Sequence, residues 1–109
     1  MQFIDRNPLY RLIRITGPHH NLLGLQIAAG STERDPAIED LARGSGRPLR
    51  LDGLEVATQV MLGAEDACRE LSKKYYFDKI QFVSDDTPPL DVYRWLAGEL
   101  IRRIDAARL

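Results

Sequence analysis

The side chains able to do chemistry in this chain are few, and their spacing does not suit it. His19 and His20 are the two histidines. Neighbours in a strand or turn point in different directions, so chelation by this pair needs further ligands, which the flanking sequence lacks. They read as exposed turn residues, and no other histidine is present to act as a general base. Cys68 falls at helical spacing with Ala64 and Leu71, a setting in which a cysteine packs as a small hydrophobe rather than acting as a nucleophile. Gly44-Ser45-Gly46-Arg47-Pro48 is glycine-rich, but it lacks the lysine of a phosphate-binding loop and the strand and helix that would aim amides at phosphate. It reads as a flexible linker. With no catalytic, cofactor-binding or metal-ligating set in the sequence, the expectation is a protein that is not an enzyme and takes no cofactor.

The carboxylates say more. Asp85, Asp86 and Asp91 cluster about the start of the last helix, where capping and compensation of the helix dipole use one or two of the three. The remaining carboxylate can face a partner. Glu33, Asp35, Glu39 and Asp40 form a second acidic group in a polar stretch, and such stretches are where binding residues concentrate. Five arginines, Arg11, Arg14, Arg43, Arg47 and Arg50, could follow a nucleic acid. They are not interleaved with aromatic residues, however, and 15 Lys+Arg against 16 Asp+Glu leaves no basic field, so no nucleic-acid partner is expected. Trp95 lies between Val92 and Glu99 at the edge of an apolar stripe, a position open to two readings: core residue or interface anchor. The predicted partner-binding set is Glu39, Asp40, Asp85, Asp86, Asp91 and Trp95.

The elements that must position these residues follow from periodicity. Leu9 to Thr16 is an apolar, β-branched run closed by Gly17-Pro18. Asn21 to Ala28 alternates Leu23, Leu25 and Ile27 with Gly24 and Gln26, so the two runs predict an antiparallel hairpin. Asp35-Pro36 predicts the cap and first residue of a short helix over 37–42 within a loop spanning 29–48. Asp52-Gly53 between alternating runs predicts a tight hairpin turn. Beyond it, Leu54, Val56, Thr58 and Val60 alternate as in a strand, while Ala57, Met61, Ala64, Cys68 and Leu71 fall at helical spacing. Dividing the segment at Gly63 gives a strand to about Met61 and a helix from Ala64 to Tyr75. Lys79 to Ser84 is a further strand. In the last helix Tyr93, Leu96, Ala97, Leu100, Ile101 and Ile104 form an apolar stripe, with Asp86 or Thr87 as its cap. The order β-β-(short α)-β-β-α-β-α predicts an α+β fold, a largely antiparallel sheet of about five strands with two main helices packed on it.

At 109 residues with 44% hydrophobic and 28% charged residues, one domain with one core is expected over 1–109, with no linker to a second. The start of the chain has neither the basic opening nor the apolar centre of a secretory signal. No stretch approaches the roughly 18 apolar residues that cross a bilayer, so no membrane partner is expected. A single cysteine cannot form an internal disulfide, and a reducing, cytoplasmic location is the matching expectation.

One segment is suggestive of a family. Gly63 to Ile104 runs helix, Tyr75-Tyr76, Lys79-Ile80-Gln81-Phe82-Val83, Asp86-Thr87-Pro88, Val92-Tyr93-Arg94-Trp95-Leu96, and a basic end at Arg102-Arg103. It resembles small bacterial immunity proteins of contact-dependent growth inhibition and related polymorphic toxin systems. The resemblance implies a cytoplasmic binder that neutralises a cognate toxin domain, often a nuclease, and it brings no catalytic residue with it. Acidic side chains facing a basic nuclease surface would speed association and block substrate. The rival from another class is a small-molecule-binding or enzymatic domain with a cleft beneath the 29–48 loop, into which His19 or His20 reaches. Self-association through the last helix is a further option, but it is not the predicted state.

Overall fold

The computed structural model describes residues 1–16, 19–30, 35–42, 51–84 and 90–108, with backbone alone at Thr16 and His19. Five strands form one sheet: β1 (Gln2–Arg6), β2 (Leu9–Thr16), β3 (His19–Ile27), β4 (Ala37–Asp40) and β5 (Phe77–Phe82). Two helices accompany it, α1 (Gly53–Leu71) and α2 (Val92–Ala107). The sheet order is β1-β2-β3-β5-β4. The successive pairs β1–β2, β2–β3 and β3–β5 are antiparallel, and β4 joins β5 in parallel with Ile38 opposite Ile80. The α+β class, the number of strands and the two main helices match what the sequence predicts, but only β2, β3 and β5 fall where strands are expected. The strand after α1 is thus inserted between two earlier strands.

Both helices pack on one face of the sheet and against each other. Tyr10 and Leu12 of β2, Leu23 and Leu25 of β3, and Ile80 and Phe82 of β5 alternate toward that face and are buried. All six residues of the predicted α2 stripe, from Tyr93 to Ile104, are fully buried. α1 contributes Val56, Val60, Ala64 and Ala67, again at spacings of three and four. Cys68 and Leu71 pack at the margin of this core. On the helix-free face, Arg11 Nε donates to Gln81 Oε1 at 2.9 Å, and Gln81 Nε2 donates to Glu39 Oε1 at 2.9 Å. This polar ladder crosses four strands and passes over Gly24, where a Cβ would stand 2.7 Å from Gln81 Oε1. Its hydrogen bonds satisfy Gln81, which is buried.

Several local expectations are corrected. Residues 37–40 form the edge strand β4 rather than a short helix. Asp35 precedes a proline, which disfavours helical geometry there, and Ile38 gains a place on the sheet beside Ile80 that an isolated helical turn would not offer. Asp52-Gly53 is not a hairpin turn. Asp52 is the N-cap of α1, with extended backbone (φ −91°, ψ 129°) and a carboxylate that accepts from Leu54 N–H at 3.4 Å. The strand expected to Met61 is helix, and α1 runs unbroken through Gly63. It ends at Leu71 rather than Tyr75, where Ser72 turns left-handed (φ 54°) and donates its N–H to the Arg69 carbonyl. The strand β1 was not expected, and it pairs with β2 through a cis Asn7-Pro8 turn. The Gly17-Pro18 turn, the Gly44-to-Pro48 linker and the expected caps Asp86 and Thr87 lie outside the described residues.

Near its C-terminal end α2 is tied to the segment that follows α1. Asp105 accepts from Lys73 Nζ at 2.8 Å and from the Tyr75 hydroxyl at 2.5 Å. The Lys73 hydrogen bond, then that of Tyr75, holds the Asp105 carboxyl below the usual carboxylate range against the opposing effect of burial. Burial, and then the bond to Asp105, pushes the Tyr75 phenol up to about 12. A carboxyl depressed on folding adds stability that is present above its unfolded value, about 3.9, and is lost as pH falls through the folded one. A phenol raised on folding adds stability that is full below about pH 10 and is lost as pH rises toward its folded value. Urea midpoints should therefore fall at both extremes. Asp105→Asn should flatten the acid limb and Tyr75→Phe the alkaline limb; variants whose limbs parallel the parent's would show that this cluster sets neither.

Candidate interaction surface on the helix pair

Four of the six predicted partner-binding residues are described, and they do not form one patch. Asp85 and Asp86 lie outside the described residues. Glu39 points to the helix-free face of the sheet, where besides Gln81 it meets Lys79 Nζ at 3.4 Å. Asp40 closes the end of β4, its Oδ1 accepting from Ala42 N–H at 2.9 Å and from Ser84 N–H at 3.0 Å. Its carboxylate joins the turn after β4 to the turn after β5, a structural task.

Asp91 and Trp95 do come together. Asp91 occupies the N-cap position of α2 but has helical backbone (φ −64°, ψ −17°), and its side chain makes no capping hydrogen bond. The sequence assigned capping work to this cluster, and Asp91 does none of it. One turn on, Trp95 is 48% exposed, which decides between its two readings: it is a surface residue, not part of the core. Both line a cleft between the helices together with Gln59, Gly63, Arg94 and Arg102. The arginines are committed to α1: Arg94 Nη2 meets Asp66 Oδ2 at 2.9 Å, and Arg102 Nε meets Glu70 Oε2 at 2.6 Å. The cleft therefore offers an indole face and an exposed carboxylate, with its cations already paired.

The other flank of α1 was not foreseen as a site. Leu54, Met61 and Leu62 are exposed there and share a groove with Ile38 of the edge strand. A partial signal lies in the sequence in Leu54, which opens the strand-like alternation through Val60, and in Met61, which falls at helical spacing. They are apolar without belonging to the core stripe.

His20 is an exposed residue at the end of β3, opposite Ile15. Half of the 29–48 loop beneath which a ligand cleft was the rival expectation, residues 31–34 and 43–48, lies outside the described residues, and 37–40 of it form β4. Among the described residues, no group of three or more His, Cys, Asp or Glu could hold a metal ion. No helix among them is long and apolar enough to cross a membrane. Comparisons with protein-family models, curated proteins and solved structures find nothing that matches this chain.

Proposed function

We propose that this chain is a non-enzymatic protein-binding domain of the immunity type that its 63–104 segment resembles, acting in the cytoplasm by seating a cognate toxin domain on α2. The observation that carries the reading is Trp95, held half-exposed beside the uncapping Asp91. The buried stripe of α2 is complete without its tryptophan, which leaves the indole free to face a partner. A large rigid aromatic next to a carboxylate suits the anchor of an interface, where tryptophan is enriched among residues that dominate affinity. A basic toxin surface would be attracted to Asp91 during encounter and could pack on the indole once docked.

The test begins with the product of the adjacent gene. Purified with this chain, it should form a stable complex by size exclusion and lose its toxic activity. Trp95→Ala should weaken the complex by about 2 kcal/mol, roughly 30-fold, while leaving the thermal midpoint nearly unchanged because the side chain is not core. Absence of any complex, or a Trp95→Ala variant that binds and protects as well as the parent, would remove the basis for this reading.

A further inference from the structure

The flank of α1 turned toward β4 departs from what a solvated helix surface requires. Leu54 is 70% exposed, Met61 45% and Leu62 38%, and across the groove from them Ile38 is 37% exposed. Of the eight large hydrophobic side chains exposed among the described residues, four line this one groove. Leu54, Met61 and Leu62 fall at i, i+7 and i+8 on the helix, so they form a stripe rather than a scatter. Single exposed apolar residues need no explanation; a continuous apolar strip along a groove marks a docking surface. α1 therefore carries two apolar stripes, and its fold uses only one.

The charge around the strip identifies its occupant. Asp35 and Glu65 stand at the groove itself, and Asp52 and Glu55 line the adjoining cleft that shares Ile38. Among the described residues, neither cleft is lined by a lysine or arginine. Arg69 meets Glu65 at 3.3 Å, but both side chains are about 70% exposed in water, so the pair leaves the field of the rim negative. The groove holds about 440 Å³, a size within the range of small-ligand clefts. Yet among the described residues its walls offer only the Thr58 side chain and the rim carboxylates as polar side chains, not the convergent donors that orient a small polar molecule. An apolar floor with an anionic rim is complementary to apolar side chains flanked by cations.

We infer that the groove between α1 and β4 is a second interaction surface, which takes a cationic, leucine-rich or similarly apolar segment of a protein partner. It lies on a different flank of α1 from Trp95 and stands whether or not the α2 surface binds a toxin.

The probe is a short fluorescein-labelled peptide of leucine and lysine, with a leucine–glutamate peptide as its counterpart. Fluorescence anisotropy should show binding of the lysine peptide alone, weakening as salt is raised. Met61→Lys should reduce that affinity by about tenfold or more, Met61→Leu should restore it, and the highly exposed Leu54→Gln should weaken it without disturbing the helix. Methyl shifts on titration should fall on Ile38, Leu54, Met61 and Leu62. Equal binding of the two peptides, indifference to both Met61→Lys and Leu54→Gln, or shifts centred near Trp95 would overturn the inference. So would concentration-dependent self-association abolished by Met61→Lys, which would assign the groove to a second copy of the chain. Trp95→Ala should leave peptide binding intact, so failure of the α2 reading and failure of this one are separable.

Discussion

Gly63→Ala should lower the thermal midpoint by roughly 15 °C, equivalent to about 3 kcal/mol, the upper end of what overpacking costs. A Cβ at this position would stand 2.0 Å from the Arg94 carbonyl oxygen and 2.8 Å from its carbon. Those atoms belong to the backbone of α2, so no rotamer change relieves the overlap and the helices must separate. Separation would withdraw α2 from the core along its whole buried stripe. Gly98 provides the control on the partner helix. A Cβ there would first meet Arg102 Nη1 at 3.2 Å, the far end of a flexible side chain, and then the Gly63 carbonyl at an ordinary 3.6 Å. Gly98→Ala should be neutral or stabilising by up to about 1 kcal/mol, since alanine is the better helix former. Scanning calorimetry on the two variants reads opposite signs. A Gly63→Ala protein as stable as its parent would mean that the helices do not cross at this distance.

Phe82→Ala should cost about 3 to 4 kcal/mol, because a buried aromatic is removed from a site that cannot collapse around the loss. Phe82 is buried at the end of β5, where it lines a cleft with Ile38 of β4, Gly53 at the start of α1, and Leu51. The ring is thus shared by the edge strand and the helix entry. Guanidinium unfolding should show the loss of stability, and amide exchange should show where it is concentrated. Protection at β4 should fall further than at β2, which keeps neighbours on both sides. Uniform loss across the sheet would argue that β4 does not depend on this ring.

How far these features could be read in advance varied with the physics behind each. The α2 stripe was legible residue by residue, because burial of one helical face imposes a period that nothing else in the segment imitates. β2, β3 and β5 were legible for the same reason at the period of a strand. β4 was not, since its conformation is set by Ile80 and Phe82, which lie about forty residues further on. Asp52-Gly53 misled because aspartate serves equally as a turn residue and as a helix cap, and the choice between them depends on the sequence that follows. That following sequence is ambiguous in its turn, because Leu54 joins Val56, Thr58 and Val60 in a strand-like alternation over the first turns of α1. At the candidate surface, Asp91 and Trp95 were legible as neighbours, since residues four apart on a helix share a side. Glu39 and Asp40 were read only as acidic; that one meets Gln81 and the other caps two turns follows from pairings no local rule contains. The groove went unread because its two walls are separate in sequence.

The insertion of β5 between β3 and β4 also orders events in time. As the chain leaves the ribosome, β1, β2 and β3 can form a meander at once, each strand finding its neighbour beside it in sequence. β4 emerges next, and its one strand neighbour among the described residues, β5, has still to be synthesised. α1 follows with its inner stripe unburied until α2 arrives. Non-local pairing of this kind is the slow part of folding, since the chain must close a long loop before any contact rewards it. A nascent chain halted before Phe77 should accordingly hold protected amides in β2 and β3 and none in β4. A chain halted there can form neither the groove beside β4 nor the cleft beside Trp95, so both surfaces take shape only once β5 and α2 have emerged.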